Sequence, residues 1–180
     1  MRTRRQILEH RSDVMRQIKS KLLFYGIKPP FRAKQSWSKA FINWLKECTV
    51  ENELLRLSFD YLIELYEYLT SQLRRISKQI VLLAKGRKYC KGVDLLKSVP
   101  GIGTLIAIEI LVELQDVKRF SSSDKLAAYI GLTPSEFSTG QYIRQGHITR
   151  CGNKRVRTSL VEACWHVINK DPFLQPSISG

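Results

Sequence analysis

The middle of the chain carries apolar residues at a spacing of seven, and this repeat restricts its fold more than any other feature. Two such series interleave without a single polar residue: Leu55, Leu62, Leu69, Ile76 and Leu83, and Phe59, Tyr66, Leu73 and Ile80. Together they fill the a and d positions of four heptads, as in a coiled coil. We therefore predict one long helix over residues 50–85, ended by Gly86. Its apolar seam needs a partner, either the basic first helix folded back or a second chain.

The rest of the chain also favours helices. Residues 3–24 predict a first helix with an apolar stripe, and Pro29-Pro30 prevents its continuation. After Gly86, short helical segments alternate with glycine-containing turns. We expect a mainly α protein with two parts. Residues 1–89 form a helical, coiled-coil arm, and residues 90–180 form a compact helical domain with a short β-hairpin.

The charge of the chain points to a polyanionic partner. Lys and Arg number 30 against 16 Asp and Glu, which gives a net charge of +14. The basic residues concentrate in residues 2–39 and 144–157, a distribution that favours contact with nucleic acid. The alternative is that these charges only keep helix faces soluble.

The cysteines and the hydropathy pattern exclude other classes. The four cysteines are widely spaced and form no C-x-x-C pair, so a thiolate metal site is not expected. No apolar run is long enough to cross a bilayer, and no signal peptide is present. We expect a cytoplasmic protein with reduced thiols and no membrane partner.

A Pro-Gly-Ile-Gly sequence interrupts two helical segments near residue 100. With no side chain at Gly101 or Gly103, a phosphate can approach the amides of these two residues and Thr104 at the start of the second helix. The pattern resembles a helix-hairpin-helix element, which holds nucleic-acid backbone without reading its sequence. A tight turn between two helices that binds no ligand is the alternative.

A second candidate site follows near the C-terminus. Gly152-Asn153 is a suitable N-cap for a helix over residues 154–168. Cations in the first turn of a helix oppose its dipole, so their concentration here calls for an anion. The candidate phosphate-binding residues are Arg144, His147, Arg150, Lys154, Arg155 and Arg157. Just upstream, Ser138-Thr139-Gly140 has turn chemistry between segments that can pair as a hairpin.

Three ordered motifs carry a family resemblance. "LLKSVPGIGTLIAIEIL", "SSSDKLAAYIGLTPSEFSTG" and "GHITRCGNKRVRTSLVEACWHV" resemble the C-terminal domain of the IS-one-ten family of insertion-sequence transposases, relatives of the Piv and MooV invertases. "LLFYGI" and "WSKAFINWL" resemble the segment just upstream in those enzymes, so the likeness covers nearly the whole chain.

The resemblance implies a two-part recombinase. An N-terminal RuvC-like domain binds divalent metal, expected to be Mg²⁺, and the C-terminal domain supplies a serine nucleophile. A structured guide RNA encoded by the element chooses the DNA. Carried onto this chain, the nucleophile is Ser138, with Thr139 kept open because family members differ in which of the two positions holds serine.

The chain departs from the family pattern at its beginning. Residues 1–50 hold no D…E…D-x-x-D set, and Asp13 is a lone acid among basic residues. We therefore expect a transposase fragment that contains no cofactor of its own, keeps DNA and RNA binding, lacks catalysis and associates with the nucleoid. A homo-oligomer formed through the coiled coil is also expected. The competing interpretations are a non-enzymatic helix-hairpin-helix DNA-binding protein and a coiled-coil assembly subunit.

Overall fold

The computed structural model describes residues 1–30, 37–48, 50, 52–136 and 145–168. Over these residues the protein is mainly α-helical, as predicted. The elements in chain order are α1 (Arg2–Phe24), α2 (Lys39–Glu47), α3 (Glu53–Ala84), α4 (Cys90–Lys97), α5 (Thr104–Leu114), a 3₁₀ turn (Val117–Arg119), α6 (Ser123–Ile130), β1 (Pro134–Glu136), β2 (Gln145–Ile148) and α7 (Lys154–Ile168). They divide into a first unit, Met1–Lys78, and a second unit, Gln79–Gly180. Our division at residues 89 and 90 stays a prediction.

The core of the first unit forms where α1 and α2 cover one face of α3. Val14, Ile18 and Leu22 of α1 join three buried residues of α2 and five of α3 in one apolar cluster. The guanidinium Nε of Arg4 donates to Ser77 Oγ at 3.0 Å, which places the start of α1 near the later turns of α3. Within this unit, the seam therefore has its partner in the same chain.

The buried stripe of α3 does not follow a strict seven-residue repeat. Leu55, Phe59, Ile63 and Tyr66 are all buried, and their spacing of four, four and three is that of a straight helix with 3.6 residues per turn. The predicted series Phe59, Tyr66, Leu73 and Ile80 stays buried, whereas the series that begins at Leu55 drifts away from the core by its end. Ala84 is 2% exposed, whereas Leu83 is 65% exposed. The prediction that Leu83 belongs to the buried seam is wrong.

Arg56 ties the end of α2 to α3. Its Nη1 donates to the carbonyl oxygens of Leu45 at 3.0 Å and Cys48 at 3.3 Å, while its Nε donates to Asp60 Oδ1 at 3.0 Å. A helix leaves its last carbonyl groups without intrahelical donors. The guanidinium of Arg56 satisfies one of those carbonyls and the carbonyl of the capping residue, and it fixes α2 on α3.

The second unit is built on the packing of α5 against α4 and α7. Buried apolar residues of α5, among them Ala107, Ile108 and Ile110, meet Val93 of α4 and Val156 of α7 in the interior of this unit. A Cβ at Gly92 of α4 would lie 3.0 Å from Leu111 Cδ1 of α5, so these two helices pack closely.

The predicted hairpin is confirmed. β1 and β2 pair antiparallel, with Pro134 opposite Ile148 and Glu136 opposite Gln145, and an irregularity lies between these pairs. The Thr149 amide donates to the Thr133 carbonyl at 2.9 Å and extends the pairing toward α7.

Candidate nucleic-acid interface

A tight turn connects α4 and α5. The Ile102 amide donates to the Val99 carbonyl at 3.2 Å, and Gly101 between them has φ +83°. Pro100 at the second position and a left-handed glycine at the third are the sequence requirements of a type II turn. Ile102 is 9% exposed, so the side chain between the two glycines is buried.

The amides that begin α5 can receive an anion. Gly103 is the N-cap with φ −87°, and no side chain caps this helix end. No atom lies within 4 Å of a Cβ built at Gly103. The first amides of a helix, here Thr104 and its two successors, have no intrahelical acceptor and carry the positive end of the dipole. Open space at the Cβ position of Gly103 therefore adjoins the unpaired amides of the first turn of α5, an arrangement that suits a phosphate.

Gly101 has a different structural role from Gly103. A Cβ at Gly101 would lie 2.4 Å from the carbonyl oxygen of Ala163 and 2.8 Å from Val167 Cγ2, both in α7. Close packing of the turn on α7 is thus a sufficient reason for glycine at this position. A phosphate contact through the Gly101 amide stays a prediction.

Asn153 caps α7, as predicted. Its Oδ1 accepts from the amides of Arg155 at 3.1 Å and Val156 at 3.2 Å, and its Nδ2 donates to Glu113 Oε2 of α5 at 3.3 Å. Its own amide donates to the Tyr129 carbonyl at 2.8 Å near the end of α6. The start of α7 is therefore held on both α5 and α6.

Two of the candidate phosphate-binding arginines bind other parts of the second unit. Arg155 Nη1 lies 2.9 Å from Glu113 Oε1, and Arg157 Nη1 donates to the Ile130 carbonyl at 2.6 Å. A Cβ at Gly131, where α6 ends, would lie 2.6 Å from Arg157 Nη1. These arginines hold α7 to its neighbours, and a direct phosphate contact by either stays a prediction.

The other described cations lie exposed around the same helix end. His147 on β2, Arg150 before the cap and Lys154 in the first turn are all exposed. Among the described residues, no salt bridge joins Arg150 or Lys154 to an acid. Positive charge thus remains uncompensated where the helix dipole is also positive, which favours binding of an anion.

The two candidate anion sites lie at opposite ends of an antiparallel helix pair. The start of α5 contacts α7 near Ala163, whereas the start of α7 contacts α5 at Glu113. At 1.5 Å per residue, the length of α5 separates these ends by about 15 Å. The two sites predicted from the sequence therefore lie on one helix pair and stay separate.

The predicted nucleophile lies outside the described residues. Ser138, Thr139 and Arg144 belong to residues 137–144, for which no structure is described. The strands on either side are paired, with Glu136 opposite Gln145, so the two ends of this segment are adjacent. Ser135 on β1 donates its hydroxyl to the His147 carbonyl at 2.9 Å. The assignment of Ser138 or Thr139 stays a prediction.

The carboxylates of α5 were not foreseen from the sequence. Glu109 Oε2 accepts from Ser159 Oγ at 2.8 Å, and Ser159 is only 1% exposed. Glu109 and Glu113 are the only charged residues of α5, and their spacing of four places both on one face. That pair within an apolar helix was the available signal, since carboxylates that are partly buried need polar partners.

Among the described residues, no group of three or more His, Cys, Asp or Glu could hold a metal ion. Among the described helices, none combines the length and the apolar character needed to span a membrane.

Comparisons with known proteins agree with the motifs. Residues 93–176 match the family model described as "Transposase IS116/IS110/IS902 family". A putative transposase y4qE from Sinorhizobium fredii is 28% identical over 165 residues, which cover 92% of this chain and 38% of that protein. The transposase for insertion sequence element IS1111A from Coxiella burnetii is 24% identical over 174 residues, covering 94% of this chain and 47% of that protein.

A third relative also matches most of this chain over less than half of its own length. The transposase for insertion sequence element IS1328 from Yersinia enterocolitica is 29% identical over 164 residues, covering 89% of this chain and 46% of that protein. The chain therefore spans less than half the length of each of these three curated relatives.

Proposed function

Residues 93–176 are a domain of the transposase IS116/IS110/IS902 family, and on that premise we propose that the chain binds DNA as part of an insertion-sequence transposase. The second unit holds the DNA backbone at the two anion sites of the α5 and α7 pair. The chemistry of recombination requires, in addition, the metal-binding RuvC-like domain that the family resemblance implies.

One observation carries this proposal. At the start of α7, the charge of Arg155 is balanced by Glu113 and the guanidinium of Arg157 is bound to a carbonyl, whereas Arg150 and Lys154 stay exposed. The exposed pair therefore supplies the phosphate contacts, and the bound pair positions the helix end. This refines the sequence-based set, which treats all four residues as equivalent.

The distance between the two anion sites suits a nucleic-acid backbone. The start of α5 and the start of α7 lie about 15 Å apart along the helix pair. One DNA strand rises about 3.4 Å per nucleotide, so the two sites span about four to five nucleotides of axis. Backbone amides and cations of this kind position DNA without reading its sequence.

The nucleophile in this proposal is Ser138, with Thr139 as the alternative. Its oxygen attacks the phosphorus of a phosphodiester and forms a covalent ester, while the displaced strand end leaves as a hydroxyl after taking a proton. A serine hydroxyl needs activation and nearby positive charge for such an attack. The pairing of β1 with β2 supports the proposal. It brings the two residues that flank the serine segment, Glu136 and Gln145, opposite each other, and β2 continues toward Arg150.

The remaining partners follow from the resemblance. Mg²⁺ would be held by the acidic RuvC-like domain that the resemblance implies. A structured guide RNA would choose the DNA site, and binding to chromosomal DNA would associate the protein with the nucleoid. The net charge of +14 supports contact with both nucleic acids.

We also propose that the chain forms a homo-oligomer, through a face of α3 that α1 and α2 leave open. Five apolar residues at helical spacing are between 43% and 77% exposed there: Leu54, Leu57, Tyr61, Leu65 and Tyr68. A contiguous apolar stripe of this kind is typical of a protein interface. Tyr61→Glu should shift the sedimentation coefficient toward the monomer, and an unchanged value would contradict the proposal.

The DNA contact is tested with one variant at each anion site. Gly103→Val places a side chain in the open space before the α5 amides, and Lys154→Ala removes a cation at the start of α7. Each should weaken binding of a fluorescent DNA duplex several-fold while the melting temperature stays within a few degrees. Lys46→Ala in the first unit, where Lys46 Nζ lies 2.7 Å from Glu67 Oε1, is the control. Wild-type affinity in both variants would refute the proposed contacts.

The nucleophile is tested by a covalent adduct. An acidic RuvC-like domain is joined upstream, metal and guide RNA are supplied, and protein–DNA adducts are separated on denaturing gels. The adduct should disappear in Ser138→Ala and persist in Ser135→Ala, and the 180-residue chain alone should form none. Loss in Thr139→Ala but not in Ser138→Ala would move the assignment by one residue. An adduct that survives both changes would refute it.

A further inference from the structure

The first unit contains a cleft between α2 and α3 that the proposed DNA contacts do not use. Its volume is about 420 Å³, within the usual range for ligand pockets. Two aromatic residues, two cations and two hydrogen-bonding side chains characterise its lining: Trp37, Tyr66, Lys39, Arg74, Asn43 and Thr70.

The aromatic wall of the cleft is fixed by the core. The Trp37 ring lies 5.1 Å from the Tyr66 ring and 5.2 Å from the Phe41 ring, measured between centroids. Phe41 and Tyr66 are buried, whereas Trp37 is half-buried. Trp37 also has φ +68°, a backbone conformation that is rare for a large residue. A preorganised indole with part of its surface open is thus available to a flat ligand.

The charge of the cleft favours an anionic ligand. Lys39 and Arg74 are exposed where they line it. Glu67, the acid of the lining, has Lys46 Nζ 2.7 Å from its Oε1. The lining therefore carries a net positive charge beside its aromatic wall.

We infer that this cleft binds one unpaired nucleotide of a single-stranded nucleic acid. The base stacks on Trp37, the exposed side chain of Asn43 hydrogen-bonds its edge, and Lys39 or Arg74 holds the adjacent phosphate. Stacking on aromatic side chains and contact of cations with the backbone are the general means of binding single strands. A base within a duplex is already stacked and paired, so the cleft selects unpaired nucleotides. The inference rests on the proposed function only in that the chain encounters nucleic acid.

The first test measures the ligand directly. Nucleoside 5′-monophosphates, in ribose and deoxyribose forms, are added to the full chain, and the three tryptophan indole N–H signals are followed by NMR. The Trp37 signal, assigned by its loss in Trp37→Phe, should shift, whereas the signal of Trp165, which is 52% exposed in the second unit, should not. No shift of Trp37 at millimolar nucleotide, or equal shifts of both signals, would overturn the inference.

The second test uses ten-nucleotide single strands of RNA and of DNA and a DNA duplex of equal length, with binding measured by anisotropy. Trp37→Ala should weaken single-strand binding about 5- to 100-fold. Arg74→Gln should flatten the slope of log affinity against log salt by about 0.7. Asn43→Ala removes the side chain that hydrogen-bonds the base and should weaken binding several-fold. Arg75→Gln, the adjacent exposed arginine outside the lining, is the matched control.

The outcomes separate this inference from the proposed function. Loss of single-strand binding in the cleft variants, with duplex binding unchanged, supports the cleft, and the RNA and DNA strands show which sugar it accepts. Because Trp37→Ala can also disturb the core, Asn43→Ala and Arg74→Gln decide in that case. Wild-type single-strand binding in both would overturn the inference and leave the contacts of Arg150 and Lys154 with duplex DNA untouched.

Discussion

The Cα of Gly101 lies so close to the carbonyl oxygen of Ala163 that a Cβ there would be 2.4 Å from that oxygen. Gly101 also has φ +83°, where any other residue is strained. The contact joins the turn between α4 and α5 to α7. This packing relationship gives the turn a fixed position in the second unit.

Gly101→Ala should therefore destabilise the second unit. The expected loss in free energy of unfolding is about 2 kcal/mol or more, from left-handed backbone strain and the collision with Ala163. Chemical denaturation followed by circular dichroism measures it. Gly103→Ala is the matched control, because nothing lies within 4 Å of its Cβ position. Equal stability of the two variants would contradict the packing argument.

Two leucines of the heptad series should respond differently to charge. Leu69 is 9% exposed and Leu83 is 65% exposed. Leu69→Lys places a charge in the apolar core of the first unit and should cost about 3 kcal/mol or more. Leu83→Lys should change the free energy of unfolding by about 0.5 kcal/mol or less. Thermal and denaturant unfolding would show the contrast, and similar losses would refute the assigned burial.

The same leucines show how far the sequence determines the fold. The apolar repeat correctly predicts the long helix and its apolar face, because periodicity reports helical geometry directly. Over a few turns, the apolar pattern cannot distinguish 3.5 residues per turn from 3.6, because the angular difference grows by only about 20° per heptad. Leu83, at the end of the series, is therefore exposed, while Ala84 is buried.

The candidate site shows a second limit of the sequence. The Asn153 cap and the glycine turn follow local rules, and both were predicted correctly. Whether a cation is exposed depends on what lies opposite it, and Glu113 is 42 residues from Arg155 in the chain. No local pattern reports that pairing. The sequence therefore identifies the basic cluster but not which members are available to phosphate.

Alanine variants of Arg155 and Lys154 should have different effects, the first on stability and the second on DNA binding. Arg155→Ala removes the contact with Glu113, whose side chain is 12% exposed, and should lower the free energy of unfolding by about 1–2 kcal/mol. Lys154→Ala should leave it within about 0.5 kcal/mol while weakening duplex binding. Denaturant melts of both variants test this. If Lys154→Ala lost more stability than Arg155→Ala, Arg155 and not Lys154 would be the exposed contact.

The pair of Arg56 and Asp60 predicts a pH effect on the first unit. The hydrogen bond from Arg56, with the positive charge of the same guanidinium, lowers the pKa of Asp60 below its usual value. A depressed pKa in the folded state gives stability that is present above the ordinary Asp pKa of about 3.9 and is lost as pH falls through the folded pKa. Asp60→Asn should therefore be less stable than wild type at neutral pH.

The difference between wild type and Asp60→Asn should shrink as the pH falls below about 4. Unfolding followed from pH 7 to pH 3 measures it. Asp94→Asn, which changes an exposed aspartate with no salt bridge among the described residues, controls for the loss of a carboxylate. A stability difference between wild type and Asp60→Asn that grows as the pH falls would contradict the assigned role of Asp60.

The salt dependence of duplex binding tests the central claim most directly. Each phosphate contact with a cation contributes about 0.9 to the slope of log affinity against log salt concentration. The account predicts a steep negative slope for the wild-type chain, flatter by about 1.8 in the double variant Arg150→Ala, Lys154→Ala, and unchanged in Lys46→Ala. A double variant with the wild-type slope, or a wild-type chain that binds no duplex at low salt, would contradict it.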